Sequence, residues 1–193
     1  DSLALALYFT PDSIRQYVDT LLLYNNSSTR IVKVALTGNS PNPVLSASSL
    51  VLNLSPVAVG DSMMKSVWLY NRTPNVMTVS GISNVTQFFS TSRSLPFQVN
   101  GLDSSEVVVK FKPKTFGDAS DLFTMTSDGG TLKVLTNGTS PYPYAGFRQQ
   151  RLDFWTLSKD STRRLTMTVV DTSINPLRID TLYTKTKYFK IPN

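Results

Sequence analysis

The chain has 193 residues, of which 40% are hydrophobic and 17% charged, and its formal net charge is +6. This length accommodates one or two ordinary domains, and the apolar fraction is sufficient for a packed core, which argues against global disorder. The sequence contains no cysteine and no histidine, which excludes disulfide frameworks, cysteine nucleophiles, Ser-His-Asp triads and histidine-ligated metal sites.

The positive charge is concentrated toward the C-terminal end. Residues 1–40 carry three basic and three acidic side chains, residues 41–140 carry seven and six, and residues 141–193 carry nine and four. A basic segment can attract nucleic acid, but no RNA- or DNA-binding motif accompanies these charges, so we do not expect nucleic acid as a partner. We also expect no membrane span, because no run of about 18 apolar residues occurs.

The first segment, residues 1–10, alternates apolar residues and lacks a basic leader, which predicts a β-strand and not a signal peptide. Because the chain begins with aspartate, we expect a fragment or a processed product. Residues 11–22 allow two interpretations: an amphipathic helix capped by Asp12, or a turn that leads into a strand at 19–25. The strand is favoured, because the matching stretch after Pro113 contains glycine and has no helical face.

The sequence matches itself when it is shifted by 100 residues. Gly38-Asn-Ser-Pro-Asn-Pro43 corresponds to Gly138-Thr-Ser-Pro-Tyr-Pro143, and this alignment continues without a gap to residue 93. Such self-similarity is the signature of a repeated structural unit.

The beginning of the chain also repeats, with small gaps. Leu5-Ala-Leu-Tyr-Phe-Thr-Pro11 resembles Val107-Val-Val-Lys-Phe-Lys-Pro113, and Asp19-Thr-Leu21 is matched with Ser120-Asp-Leu122. These matches place the first segment in the second half of a repeat unit.

The phase of the repeat predicts three parts. Residues 1–40 are the C-terminal half of a unit, residues 41–140 are a complete unit, and residues 141–193 are the N-terminal half of the next unit. The Ser-Pro-x-Pro segments at 40–43 and 140–143 are the expected linkers, because proline fixes φ and stiffens a short connector.

Period-two alternation predicts an all-β structure for the complete unit. The expected strands are at about 49–54, 63–70, 76–82, 86–90, 95–99, 105–111, 120–126 and 131–136. Asp128-Gly-Gly130 between two apolar runs indicates a hairpin. About 100 residues with seven or eight strands are typical of an immunoglobulin-like β-sandwich.

Several motifs carry a resemblance to a known family: Leu50-Val-Leu-Asn-Leu54, Val67-Trp-Leu-Tyr-Asn71, Val109-Lys-Phe-Lys-Pro113 and Val134-Leu-Thr-Asn-Gly138. Together they resemble the Hydin-like ASH immunoglobulin-like domains, relatives of the major sperm protein fold, and are most similar to bacterial tandem choice-of-anchor D domains. The resemblance implies a sandwich in a long cell-surface or extracellular array, with a cytoplasmic or ciliary scaffold as the alternative. It implies no catalytic or ligand residues. Lys159-Asp160 departs from the family's Val-Gly turn, which puts that turn in doubt.

No arrangement of residues predicts catalysis. Glu106 is the single glutamate, and the neighbouring pairs Asp103/Glu106 and Asp118/Asp121 are interpreted as solvated loop charges. We expect no enzyme activity, no metal and no cofactor. The sequence predicts a structural or adhesive repeat module, with a protein- or carbohydrate-binding module of a longer tandem-domain protein as the alternative. Trp68 is the exposed aromatic candidate for such a ligand surface.

A half sandwich cannot bury its own inner face, and each apolar side chain left out of a core forgoes about 1.5–3 kcal/mol. The side chains affected are Leu3, Leu5, Leu7, Phe9, Leu21 and Leu23 in the first half unit, and Phe154, Leu165, Met167, Val169, Leu177 and Ile179 in the last. One hypothesis is that the last half unit of one copy combines with the first half unit of another, which generates a head-to-tail fibre. The other, equally open, is that neighbouring repeats of a longer chain supply the missing halves.

Overall fold

The computed structural model describes residues 2–191, which contain thirteen β-strands. Their bounds are β1 Gln16–Tyr24, β2 Ile31–Asn39, β3 Leu45–Ala47, β4 Val51–Leu54, β5 Met63–Asn71, β6 Met77–Ser83, β7 Phe89–Thr91, β8 Phe97–Val99, β9 Ser104–Phe111, β10 Gly117–Ser127, β11 Gly130–Ser140, β12 Ala145–Phe147 and β13 Val169–Asp171.

Strands β3 to β11 form two sheets with one core. The first sheet has the order β4-β11-β10-β6-β8, and the second has the order β3-β5-β9-β7. Val67 and Val107 from the second sheet and Phe123 and Val134 from the first belong to the same buried cluster. Two sheets that enclose a shared apolar layer form a β-sandwich. The expected all-β, immunoglobulin-like fold is therefore confirmed.

Each of the eight strands expected in the central unit occurs, with its ends moved by a few residues. The hairpin at Asp128 is also present: Ser127 pairs with Gly130, whose φ of +109° lies in the region that glycine adopts without strain. Strand β3 was not predicted from the sequence. It is three residues long and pairs with the end of β5, so it is too short to show an alternating pattern.

The first half unit folds as a hairpin of β1 and β2, which pair antiparallel over nine residues. Residues 16–24 are therefore a strand and not the alternative helix. The pairing with β2 supplies backbone hydrogen bonds that override the local helical spacing of apolar residues.

The two hairpins have the same register. Asp19 pairs with Leu36 in the first hairpin, and Asp121 pairs with Thr136 in the second. Corresponding residues of β2 and β11 differ by 100 in number, whereas corresponding residues of β1 and β10 differ by 102. The match of Asp19-Thr-Leu21 with Ser120-Asp-Leu122 was thus wrong by one residue. In a strand, such a slip exchanges the two faces.

The last half unit forms one short antiparallel pair, β12 with β13. Ala145 pairs with Asp171, as Leu45 pairs with Asn71 one hundred residues earlier. The turn that Lys159-Asp160 put in doubt is kept. Asp160 has φ +66°, and Ser161 N donates to Ser158 O at 3.1 Å. Aspartate tolerates this left-handed conformation better than most residues do.

The strand predicted in residues 1–10 does not form in residues 2–10. The corresponding strand of the central unit, β9, is paired on both sides, by β5 and by β7. By the repeat, the counterparts of β5 and β7 lie in the last half unit. The prediction failed because alternation marks a chain segment that fits a sheet, whereas a strand needs a partner.

Candidate functional site: two exposed half-sandwich faces

The core of the central unit shows what the repeated positions do when both halves are present. Val67 on β5 pairs with Val107 on β9, and both side chains are fully buried. Phe111 at the end of β9 stacks on Phe89 of β7, with ring centroids 4.8 Å apart. The sandwich therefore closes through contacts between its first half, up to β7, and its second half, from β9 onward.

The head face is the set of sequence-predicted core residues of the first half unit: Leu3, Leu5, Leu7, Phe9, Leu21 and Leu23. Leu5 is 63% exposed, whereas its counterpart Val107 is 0% exposed. Leu21 is half-buried, and the other members are exposed.

The tail face is the corresponding set in the last half unit: Phe154, Leu165, Met167, Val169, Leu177 and Ile179. Met167 is 42% exposed, whereas its counterpart Val67 is 0% exposed. Phe154, Val169 and Leu177 are half-buried.

Ten of these twelve residues correspond to buried core positions of the central unit. The buried counterparts are Val107, Val109, Phe111, Phe123 and Met125 for the head face, and Leu54, Val67, Leu69, Met77 and Val79 for the tail face. The two exceptions are Leu3 and Leu165, which correspond to the half-buried Ser105 and the exposed Lys65. These two leucines occupy positions at the rim of the core.

A ring-on-glycine contact is the same in the first and second hairpins. The Phe9 ring lies over Gly38, where a Cβ atom would come within 2.5 Å of it, and the Phe111 ring lies over Gly138 at the same distance. Only glycine lets an aromatic ring approach the backbone this closely. This contact explains the glycine near the end of β2 and of β11, and it places the exposed Phe9 ring over Gly38 as the buried Phe111 ring lies over Gly138.

Both Ser-Pro-x-Pro linkers are held by an asparagine of the following unit. Asn75 Nδ2 donates to Ser40 Oγ at 3.1 Å and to Pro41 O at 2.7 Å. Asn175 Nδ2 donates to Ser140 Oγ at 3.2 Å and to Pro141 O at 2.6 Å. The linkers are therefore fixed by side-chain hydrogen bonds as well as by proline.

Asn175 makes one bond more. Its Oδ1 accepts the backbone N–H of Val59 at 2.7 Å, which ties the last half unit to the central unit. Sequence reasoning missed both asparagines, although their identical position in the two repeats was a signal.

Asp121 is a buried carboxylate within the central sandwich, so its interpretation as a solvated loop charge was wrong. It accepts backbone N–H groups from Val85 and Thr86 and side-chain bonds from Asn84 and Thr86. Burial by itself raises the pKa of Asp121, but these hydrogen bonds outweigh it and lower the pKa to about 2. The group is a structural clamp between β10 and the loop before β7.

The aromatic candidate Trp68 and the two tyrosines of the second linker have different surroundings. Trp68 is 43% exposed on β5, opposite Glu106 of β9. Tyr142 packs on Phe116 with ring centroids 5.5 Å apart, and Tyr144 is exposed. Tyr142 thus connects the second linker to the central unit through this ring contact.

Among residues 2–191, no three acidic side chains lie close enough together to hold a metal ion. The same residues include no helix of the length and hydropathy required to cross a membrane.

No protein-family model matches the chain, and a search of curated proteins finds no match. Among solved structures, the chain is similar to the ASH/PapD-like domain 7 of human CEP192, with 13% identity and a TM-score of 0.46, over 51% of this chain and 86% of that one.

Two further solved structures are similar. One is a protein of unknown function from Porphyromonas gingivalis W83, with 6% identity and a TM-score of 0.46, over 67% of this chain and 68% of that one. The other is WR4, a C. elegans MSP family member, with 6% identity and a TM-score of 0.36, over 50% of this chain and 97% of that one. Since these TM-scores lie below 0.5, the fold assignment rests on the strand order and register, and the narrower choice-of-anchor D assignment stays a prediction.

Proposed function

We propose that this chain is a non-enzymatic, structural repeat module in which the tail face of one copy and the head face of another combine into a composite sandwich. The observation that carries the proposal is the central unit itself, in which the counterparts of the two faces pack against each other and are buried. Burying both faces removes exposed apolar surface, which is the main driving force for such association.

The repeat also supplies the register of the composite. In the central unit, Val67 pairs with Val107. Transferred by the repeat, Met167 of one copy pairs with Leu5 of the next. Parallel pairing of β11 with β4, in which Gly138 lies opposite Leu54, places Gly38 opposite Phe154 in the same way.

Together the two half units contain a counterpart of every strand of the central unit except β8, the three-residue edge strand Phe97–Val99. The segments without strand pairing are those whose partners belong to the other half, which is the behaviour expected of a divided sheet. The contact is heterologous, because a tail meets a head, so repeated addition produces a fibre unless it closes into a ring.

The proposed cell-surface or extracellular location rests on the resemblance to tandem surface domains. In that setting, a fibre of stiffly linked sandwiches would serve as an adhesive or supporting filament.

The test uses two blocked chains. Leu5→Asp places a charge in the head face and leaves the tail face intact; Met167→Asp does the reverse. Because burying an unpaired charge is strongly unfavourable, each variant alone should be monomeric in sedimentation velocity at concentrations where the wild type associates. An equimolar mixture should form one-to-one dimers, because one working head then meets one working tail.

The matched control is Leu3→Asp, which introduces the same charge at the rim of the head face. It should weaken association less than Leu5→Asp does. A wild-type chain that stays monomeric up to high concentration, or blocked chains that fail to form a dimer when mixed, would contradict the proposal and favour coverage of the faces by neighbouring repeats.

A further inference from the structure

The carboxylate clamp of the central unit joins its two halves. Asp121 lies on β10 in the second half, and its donors Asn84, Val85 and Thr86 lie in the first half, before β7. Three donors reach its oxygen atoms at 2.8–2.9 Å: Val85 N, Thr86 N and Thr86 Oγ1. Hydrogen bonds to an ionised acceptor are stronger than those between neutral groups.

Asp19 is the counterpart of Asp121 in the first hairpin, as the register shows. It keeps the part of the clamp that is local to its own strand. Thr20 N donates to Asp19 Oδ1 at 2.7 Å, as Leu122 N donates to Asp121 Oδ1 at 2.7 Å. In the central unit the other donors come from the first half of the sandwich, and the half unit that contains Asp19 has no counterpart of that segment.

The donor loop is repeated in the last half unit, at residues 184–186. Thr184 Oγ1 donates to Phe189 O at 2.6 Å, as Asn84 Nδ2 donates to Phe89 O at 2.9 Å. The loop is thus closed by an equivalent bond. Its next two residues are Lys185, in the place of Val85, and Thr186, in the place of Thr86.

We propose that Asp19 of one copy is held by the loop 184–186 of the next copy, through the backbone N–H groups of Lys185 and Thr186 and the hydroxyl of Thr186. This inference rests on the proposed composite sandwich and names the polar contact that fixes it. Thr184 has a single hydroxyl proton, which is used on its own loop, so it does not replace the third donor that Asn84 provides.

This carboxylate clamp, divided between Asp19 of one copy and the loop 184–186 of the next, is called the split clamp. It would give the assembly a specificity that apolar contacts lack. A two-residue slip of β1 keeps leucine side chains on the same face of the sheet, where other apolar side chains can still cover them, whereas it would move Asp19 away from its donors. It would then leave a buried carboxylate or its donors unpaired, at a cost that disfavours the wrong register.

The experiment measures the dissociation constant of the mixed dimer described above. The chain with the working head, which carries Met167→Asp, additionally carries Asp19→Ala; the partner carries Leu5→Asp. Loss of a charged acceptor with three donors should weaken the dimer about 10- to 100-fold. Asp12→Ala, in the same chain, removes the same charge from an exposed turn and should change the dissociation constant less than threefold.

The donor side is tested with Thr186→Val in the partner chain. Because Asp19 and Thr186 are in contact in the proposal, combining the two substitutions should weaken the dimer less than the product of their separate effects. An unchanged thermal unfolding transition of each variant shows that it remains folded.

Two outcomes overturn the inference in different ways. If the mixed dimer forms and Asp19→Ala weakens it no more than Asp12→Ala does, the split clamp is wrong and the composite sandwich stands. If the blocked chains form no dimer at all, the composite sandwich fails and the clamp fails with it.

Discussion

The hairpins β1–β2 and β10–β11 have the same register and the same aromatic ring over the same glycine, yet their surroundings differ. In the central unit, Phe123 and Met125 of β10 are fully buried, whereas Leu23 in the corresponding place of the first hairpin is exposed. The comparison shows that strand pairing within a hairpin is a local property. Burial depends on the other sheet, whose residues lie far away in sequence.

The largest expected difference is at the paired phenylalanines. Phe111→Ala should destabilise the central unit by about 3–5 kcal/mol, because it removes a buried ring and its stacking on Phe89. Phe9→Ala should leave that unfolding free energy within about 0.5 kcal/mol. The measurement is urea unfolding in the Met167→Asp background, where assembly does not contribute. A large loss for Phe9→Ala would mean that the first half unit already has a core of its own.

The next effect is the pH dependence that Asp121 confers. Its pKa of about 2 lies below the ordinary value of 3.8, so its contribution to stability is present above pH 3.8 and is lost as the pH falls through about 2. The contribution amounts to about 2 kcal/mol at neutral pH.

Asp121→Asn should therefore destabilise the monomeric Met167→Asp chain at pH 7 and lose most of that difference near pH 2. Unfolding free energies of the two proteins across this range provide the check. A difference that stays constant with pH would show that the carboxylate charge is not what the clamp uses.

A smaller effect is expected at the linkers. Asn175→Ala removes three hydrogen bonds, to Ser140, Pro141 and Val59. It should therefore lower the free-energy cost of opening the second linker locally by about 1 kcal/mol. Chymotrypsin cleavage after Tyr144 should then become several-fold faster. Asn75→Ala serves as the comparison, because Asn75 makes two of these bonds among the described residues and should leave cleavage at Tyr144 unchanged.

The smallest effect is expected at Trp68. Its ring lies on the outer face of β5, so Trp68→Ala should change neither stability nor the dissociation constant of the mixed dimer by more than about 0.5 kcal/mol. Urea unfolding and the dissociation constant of the mixed dimer provide the two measurements. A marked loss of dimer affinity would place the outer face of the sheet in the contact and would weaken the assignment of the inner faces.

Much of the fold could be predicted from the sequence because its signals are local. Alternation at residues 105–111 reflects a strand with one buried side, and Asp128-Gly-Gly130 encodes its own turn. Strand β3 could not be predicted, because three residues give no period. The residue of β10 that corresponds to Asp19 could not be predicted reliably either, because the loop 25–30 differs in length from its counterpart. Only the pairing of β1 with β2 shows that this residue is Asp121.

The sequence by itself determined the all-β class, and it predicted the repeat of 100 residues and the apolar residues of both faces, since each of these signals lies in nearby positions or in their recurrence. Only the tertiary structure decided that residues 2–10 remain unpaired, that Asp121 is a buried clamp and that Asn175 joins two units. Each of these depends on groups that are distant in sequence and come into contact, or fail to, only in the folded chain. Local sequence patterns do not encode such contacts.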